Sequence, residues 1–153
     1  MGLRKILTDK EPALHKVCKS VTAFDSKLHK LLDDMADTLV ESGGVGLAAP
    51  QVGVLRRVVV IETEPGEVIE LINPKIIATA GTQEGAEGCL SIPGRSGIVK
   101  RPRHVTVRAT DRNGEVFDIS GSDLLARAFC HELDHLDGHL YIDRAERMLD
   151  EED

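Results

Sequence analysis

The chain has 153 residues, 41% of them hydrophobic, and a formal charge of −7, the proportions of one compact domain with a single core. Three Phe, one Tyr and no Trp leave no aromatic platform for stacking bases, and the acidic balance excludes the broad basic face that nucleic acid or anionic membranes require. No apolar run approaches the ~18–20 residues of a membrane span.

The start, Met1-Gly2-Leu3-Arg4-Lys5, leads into Thr8-Asp9-Lys10-Glu11-Pro12 with no long apolar segment, so neither a secretory signal nor a transit peptide is expected. Cys18, Cys89 and Cys130 are odd in number and widely spaced, which does not make a disulfide framework and points to a reducing cytoplasm.

A helix is expected over residues 25–42, where Leu28, Leu31, Leu32, Met35 and Leu39 recur at helical spacing, with Asp25 as N-cap and Gly43-Gly44 as the stop. Residues 43–53 are too rich in Gly and Pro for a regular element, yet apolar enough to be buried. Strands are expected at 58–61, 68–72 and 75–78, and residues 81–97 read as irregular. Lys100-Arg101-Pro102-Arg103 reads as a solvated strand edge. A hairpin should join 104–110 to 115–119 through Asp111-Arg112-Asn113-Gly114. A second helix follows from 122 or 123 to 136, stopped by Gly138, and an acidic tail runs from about 149 to Asp153. The order helix, strands, helix, without βαβ alternation, gives an α+β class.

The second helix carries His131-Glu132-Leu133-Asp134-His135. Positions four apart lie on one helix face, so the two imidazoles can share a metal ion while Glu132 reaches a water beside it. The short pattern also occurs in unrelated proteins, where it is a pair of surface histidines. Leu124, Leu125, Ala128, Phe129 and His135 fall roughly on one side, which turns both histidines inward. A catalytic site also needs a third protein ligand and an open position. Downstream the candidates are His139, Asp143 and Glu146; upstream it is Cys89, with Cys18 and Cys130 as competing thiols. Cys130 points about 100° away from His131 and is expected to be a packed core thiol. Spacing favours Cys89 without excluding the others.

Three segments make the pattern specific. Gly44-Val45-Gly46-Leu47-Ala48-Ala49-Pro50-Gln51, Glu87-Gly88-Cys89-Leu90-Ser91 and His131-Glu132-Leu133-Asp134-His135 resemble the signature motifs of the peptide deformylases, in the family's order and at its usual separations. The likeness runs from Ile6-Leu7 to about Ile142-Asp143-Arg144. It implies a single catalytic domain over 1–153, with mixed or antiparallel sheets packed around a central metal-binding helix. It implies a cytoplasmic metallohydrolase that removes the N-formyl group, as formate, from the N-terminal methionine of newly made polypeptides.

The resemblance further implies Cys89, His131 and His135 as ligands of one divalent ion, Fe(2+) in the cell, with Zn(2+), Ni(2+) or Co(2+) able to replace it. A thiolate with two neutral imidazoles suits zinc or iron(II) on chemical grounds as well. Glu132 becomes the acid/base, and the Gln51 side-chain amide and the Leu90 backbone N–H become oxyanion donors. Val45, Gly46 and Gly88 become backbone contacts for a peptide bound as a β-strand. Glu87 pairs with Arg101 to brace the segment carrying Cys89, and Asp134 is a candidate acceptor for a ligand histidine's second N–H. For the methionine pocket the metal helix offers Leu125, Ala128 and Phe129.

Two features depart from the better-known relatives. In the slot where some relatives carry an Arg shortly after the family's proline, Ser96 stands here, with Arg95 one position earlier. A basic C-terminal helix that docks some relatives on the ribosome is replaced by the acidic tail, so ribosome proximity is expected without that docking mode. A monomer acting on formylmethionyl nascent chains, without direct nucleic-acid or membrane contact, is the expected form. The competing functions are a zinc endopeptidase of the HExxH type, which needs a downstream ligand, and a non-catalytic metal-stabilised peptide-binding module, which needs neither Glu132 nor Gln51.

Overall fold

Val58, Val59, Val60 and Ile61 are all buried, because the strand that contains them has a helix on each face. The computed structural model describes residues 2–149. In chain order its regular elements are α1 (Ser26–Ser42), β1 (Gly46–Ala48), β2 (Val58–Glu64), β3 (Glu67–Ala80), β4 (Gln83–Cys89), β5 (Ile92–Arg101), β6 (His104–Thr110), β7 (Val116–Ser122), α2 (Leu124–Leu136) and β8 (Arg147–Leu149). A five-stranded sheet in the order β1-β2-β3-β6-β7 and a three-stranded sheet in the order β4-β5-β8 are antiparallel throughout. This is the α+β class expected.

Side chains alternate across the large sheet. Val58 and Val60 pack with Leu28, Leu32, Met35 and Leu39 of α1, whereas Val59 and Ile61 pack with Ala126, Phe129 and Leu136 of α2. Burying two valines or leucines per face contributes about 1.5–3 kcal/mol per side chain, so both helices are held by tertiary packing. Asp25 caps α1 by accepting from Leu28 N at 3.1 Å, and Gly43 ends it at φ 75, where only a residue tolerant of the left-handed region fits without strain.

Four expectations need revision or refinement. Residues 43–53 include a short strand, β1, and a single 3₁₀ turn at Ala49–Val52. The two expected strands at 68–72 and 75–78 are one strand, β3, kinked at Asn73-Pro74, where its register shifts. Residues 81–97, expected to be irregular, are mostly the β4–β5 hairpin. Their glycines hid it: a Cβ on Gly97 would lie 2.8 Å from Met148 Sδ, and one on Gly85 would lie 3.1 Å from Arg127 Nη2. Those positions are glycine because neighbours press on the strands. The basic run at 100–103 is also split by alternation along β5, since Lys100 is exposed and reaches Glu146 while Arg101 is 5% exposed. The tail beyond Leu149 lies outside the described residues. Among the described residues no helix is long and apolar enough to cross a membrane.

The kink has its own task. Asn73, at φ 51, accepts from Val21 N at 2.8 Å and donates Nδ2 to Val21 O at 2.9 Å, so it ties the N-terminal arm to the sheet. Asn73→Ala should destabilise the fold by about 1–3 kcal/mol, read as a lower urea midpoint at unchanged slope. An unchanged midpoint would show that the arm is held elsewhere.

Candidate metal centre

α2 is the element on which the site is built. Nearly every residue from Ala126 to Leu136 is buried, yet one stripe at i, i+3, i+4, i+7 spacing, Leu124, Arg127, Ala128 and His131, borders a cleft of about 500 Å³ together with Glu132. Facing that stripe is the β4–β5 hairpin. Cys89 pairs with Ile92, so Leu90-Ser91 forms the turn and the thiol stands at the hairpin's tip.

Cys89, His131 and His135 each present a ligand atom, all within 4.8 Å of one another. Cys89 Sγ is 3.5 Å from His135 Nε2. His131 Nδ1 donates to Glu87 Oε1 at 2.9 Å, which leaves its Nε2 facing the cluster. Among the described residues no other group of three such side chains converges this way. His139 is exposed and lies 3.8 Å from Asp143, Asp143 caps Leu140 N, and Glu146 faces Lys100. Cys18 and Cys130 are free and buried in the apolar layer, where burial pushes both thiols up.

Glu87 organises what surrounds the ligands. Its two oxygens accept from Arg101 Nη2 and Nε, each at 2.9 Å, and Oε2 also accepts from Arg127 Nη1 at 2.6 Å. Arg101 Nη1 donates to Asp134 Oδ2 at 2.8 Å, and Arg144 Nε reaches the same oxygen at 2.7 Å. Asp134 therefore serves two arginines, and the carboxylate that takes the histidine N–H is Glu87.

Burial alone would raise the Glu87 carboxyl, but Arg101 and His131 hold it well below the usual carboxylate range. Burial alone would lower the His131 ring, yet bonds to Cys89 and Glu87 push it up to about 10. His135, buried beside His131, falls well below its ordinary value. The three donors converge, and a thiol with two imidazoles suits a borderline-soft divalent ion. The residues therefore fit a metal ion.

Glu132 is 5% exposed, its Oε1 has no partner among the described residues, and burial pushes its carboxyl up to about 7 against the opposing effect of His131. β1 lies directly over it: a Cβ on Gly46 would come 2.7 Å from Glu132 Cγ and 2.8 Å from Oε2. Gln51 Oε1 accepts from Ala48 N at 3.0 Å, and its Nε2 donates to Ser91 Oγ at 3.0 Å and to Cys89 Sγ at 3.6 Å. The amide group is thus fixed and aimed at the thiol.

Val45, Gly46, Gly88, Leu90, Gln51 and Ala128 all border the cleft, as does Arg95. Ser96 instead pairs with Leu149. Leu125 and Phe129, expected in the pocket, are corrected to the opposite side of α2, where both pack into the apolar layer against the sheet. Each residue turns a helix by about 100°, so the pocket stripe begins one position earlier, at Leu124. Three residues went unseen in the sequence. Arg127, four before His131, was legible by helical period. Ser91 is the last residue of the Glu87-Gly88-Cys89-Leu90-Ser91 segment. Tyr141, fully buried with its ring stacked 6.1 Å from that of His131, gave no local signal.

Two consequences can be measured. Gly46→Ala should displace Glu132 and lower kcat by about 10²-fold at unchanged metal content; wild-type kcat would show that the contact tolerates a methyl group. Glu87 is held below its unfolded value, so its stabilisation is present above about pH 4.3 and lost as pH falls. Glu87→Gln should flatten the acid limb of stability measured by urea unfolding and weaken metal affinity by about 10–100-fold. Wild-type metal affinity in that variant would remove Glu87 from the site.

The family model described as polypeptide deformylase matches residues 3–151. A peptide deformylase of Alkaliphilus metalliredigens is 54% identical over 144 residues, covering 94% of this chain and 97% of that protein. The crystal structure of peptide deformylase from Thermotoga maritima superposes with a TM-score of 0.92 at 36% identity, covering 95% of this chain and 99% of that one. That of a peptide deformylase from Synechococcus elongatus in complex with actinonin gives 0.89 at 40% identity, over 93% and 78%. The chain belongs to the peptide deformylase family.

Proposed function

We propose that this protein hydrolyses the formamide at the N-terminus of formylmethionyl peptides, releasing formate and a free amine. The observation that supports it most is Glu132, a buried carboxylate without a partner on Oε1, beside three convergent ligands and open to the cleft. A binding module has no use for such a group, which costs several kcal/mol of desolvation if it stays ionised. An endopeptidase of the HExxH type would need a downstream ligand, and His139, Asp143 and Glu146 are engaged elsewhere.

Cys89, His131 and His135 would hold one divalent ion, iron(II) in the cell, which supplies a Lewis acid and makes the attacking water acidic. Glu132 accepts the proton of that water and then delivers it to the departing amine nitrogen. A carboxyl raised to about 7 can do both near neutral pH. As the formyl carbon becomes tetrahedral its oxygen takes up negative charge. One Gln51 N–H stays on Ser91 Oγ, while the one now directed at Cys89 Sγ is available to that oxygen, with the Leu90 backbone N–H as the second donor. Ser91 thereby keeps the amide from rotating.

The peptide would lie along the cleft between β1 and β4, both edge strands, and pair with the backbones of Val45, Gly46 and Gly88. Leu124 and Ala128 would line the pocket for the methionine side chain. The enzyme would act in the cytoplasm, as a monomer, on chains emerging from the ribosome.

Formyl-Met-Ala-Ser should release formate, and an unformylated peptide should not be cut, with iron(II), cobalt or nickel loaded anaerobically. Cleavage of the unformylated peptide would overturn the assignment. Glu132→Ala should abolish turnover and keep its metal; loss of the metal instead would make Glu132 structural. Gln51→Ala should lose about 10²–10³ in kcat, and an unchanged kcat would remove it from the mechanism.

A further inference from the structure

Arg127 has no part in the chemistry above, yet it is a charged side chain only 8% exposed. It lies on the cleft face of α2, four residues before His131. Its Nη1 donates to Glu87 Oε2 at 2.6 Å, to Val99 O at 3.1 Å and to Gly85 O at 3.4 Å, and its Nη2 donates to Gln83 Oε1 at 3.4 Å. A Cβ on Gly85 would sit 3.1 Å from Nη2, so β4 runs flat across the guanidinium. Four acceptors on two strands are served by one rigid fork, a task for which lysine has the charge but not the geometry.

The arrangement is a closed loop. Arg127 on α2 holds Glu87 on β4, and Glu87 holds His131, one helical turn further along α2. Cys89 follows Glu87 by two residues on the same strand. The two bonds to Glu87 therefore pin one turn of the helix that carries both histidines to the strand that carries the thiol. Arg101 grips the same carboxylate from β5 and reaches α2 by a second route, through Asp134; Arg127 is the arginine on α2 itself that bonds Glu87.

We propose that Arg127 is a positioning residue that, through Glu87, sets the spacing between Cys89 and His131 and so the grip on the ion. Without it Glu87 Oε2 retains one donor, Arg101 Nε, and the carbonyls of Gly85 and Val99 lose theirs. β4 then keeps its ties to α2 through His131 and, by way of Arg101, through Asp134, but loses the one a helical turn before His131, so the strand can shift and the thiol with it. The inference rests on the assignment of Cys89, His131 and His135 as metal ligands.

The test compares Arg127→Met, which keeps length and loses the fork, with Arg127→Lys, which keeps a cation within reach of Glu87. Each is loaded with Co(2+) alone; the dissociation constant is read by chelator competition, and the ligand-field absorption is recorded with no substrate present. The Met variant should bind about 10–100-fold more weakly with shifted bands, and the Lys variant should recover part of the affinity. In the deformylation assay at saturating metal, kcat of the Met variant should fall more than KM rises. A Met variant that melts earlier but keeps wild-type affinity and spectrum would overturn the proposal, leaving Arg127 as a stability element. So would equal losses in the Met and Lys variants. If wild type binds Co(2+) without a sulfur-to-metal charge-transfer band, the ligand assignment fails instead, and that outcome is distinct.

Discussion

The carboxylate of Glu87 is the constraint on which the site depends. Its four hydrogen bonds come from three residues on two elements, His131 and Arg127 from α2 and Arg101 from β5, and its own strand, β4, ends at Cys89. The large sheet supports α2 from behind through Phe129, Ala126 and Leu136, while the small sheet brings the thiol from in front. Leu90 beside the thiol packs against the apolar layer of α1, but the bridge from Glu87 to α2 is ionic.

Such a network is a poor way to gain stability. Desolvating buried charges costs several kcal/mol per ion, and well-packed hydrophobic residues often serve as well or better. What apolar packing cannot supply is direction. A carboxylate held at both oxygens fixes which His131 nitrogen bonds Glu87 and therefore which one faces Cys89 and His135. The same partners hold Glu87 ionised. Glu132, a short distance along α2, lacks such partners and its carboxyl rises to about 7. Two carboxyls on neighbouring elements thus differ, one held ionised and the other raised, set by environment alone.

The sequence made plain whatever depended on local periodicity. The leucines of α1, the alternation in the 104–119 hairpin and the His-Glu-x-x-His turn all carry their own signal, and the three motifs hold the residues that the fold brings together around one cleft. What stayed hidden depended on close approach. The β4–β5 hairpin looks irregular because Gly85 and Gly97 accommodate Arg127 and Met148, a fact no single-chain pattern reveals. Arg101 reads as a surface cation until β5 is folded and alternation turns it inward. Periodicity shows an apolar stripe on α2 that includes Leu125 and Phe129 but not which way it faces; a shift of one residue sends them to the sheet and brings Leu124 and Arg127 to the cleft.

The central claim is that one thiolate and two imidazoles, Cys89, His131 and His135, share an ion. X-ray absorption fine structure at the zinc edge of the zinc-loaded protein tests it most directly. One sulfur at about 2.3 Å and lighter scatterers at about 2.0–2.1 Å are expected, with the sulfur shell absent in Cys89→Ser. A wild-type spectrum with no sulfur, or with two, would contradict the account.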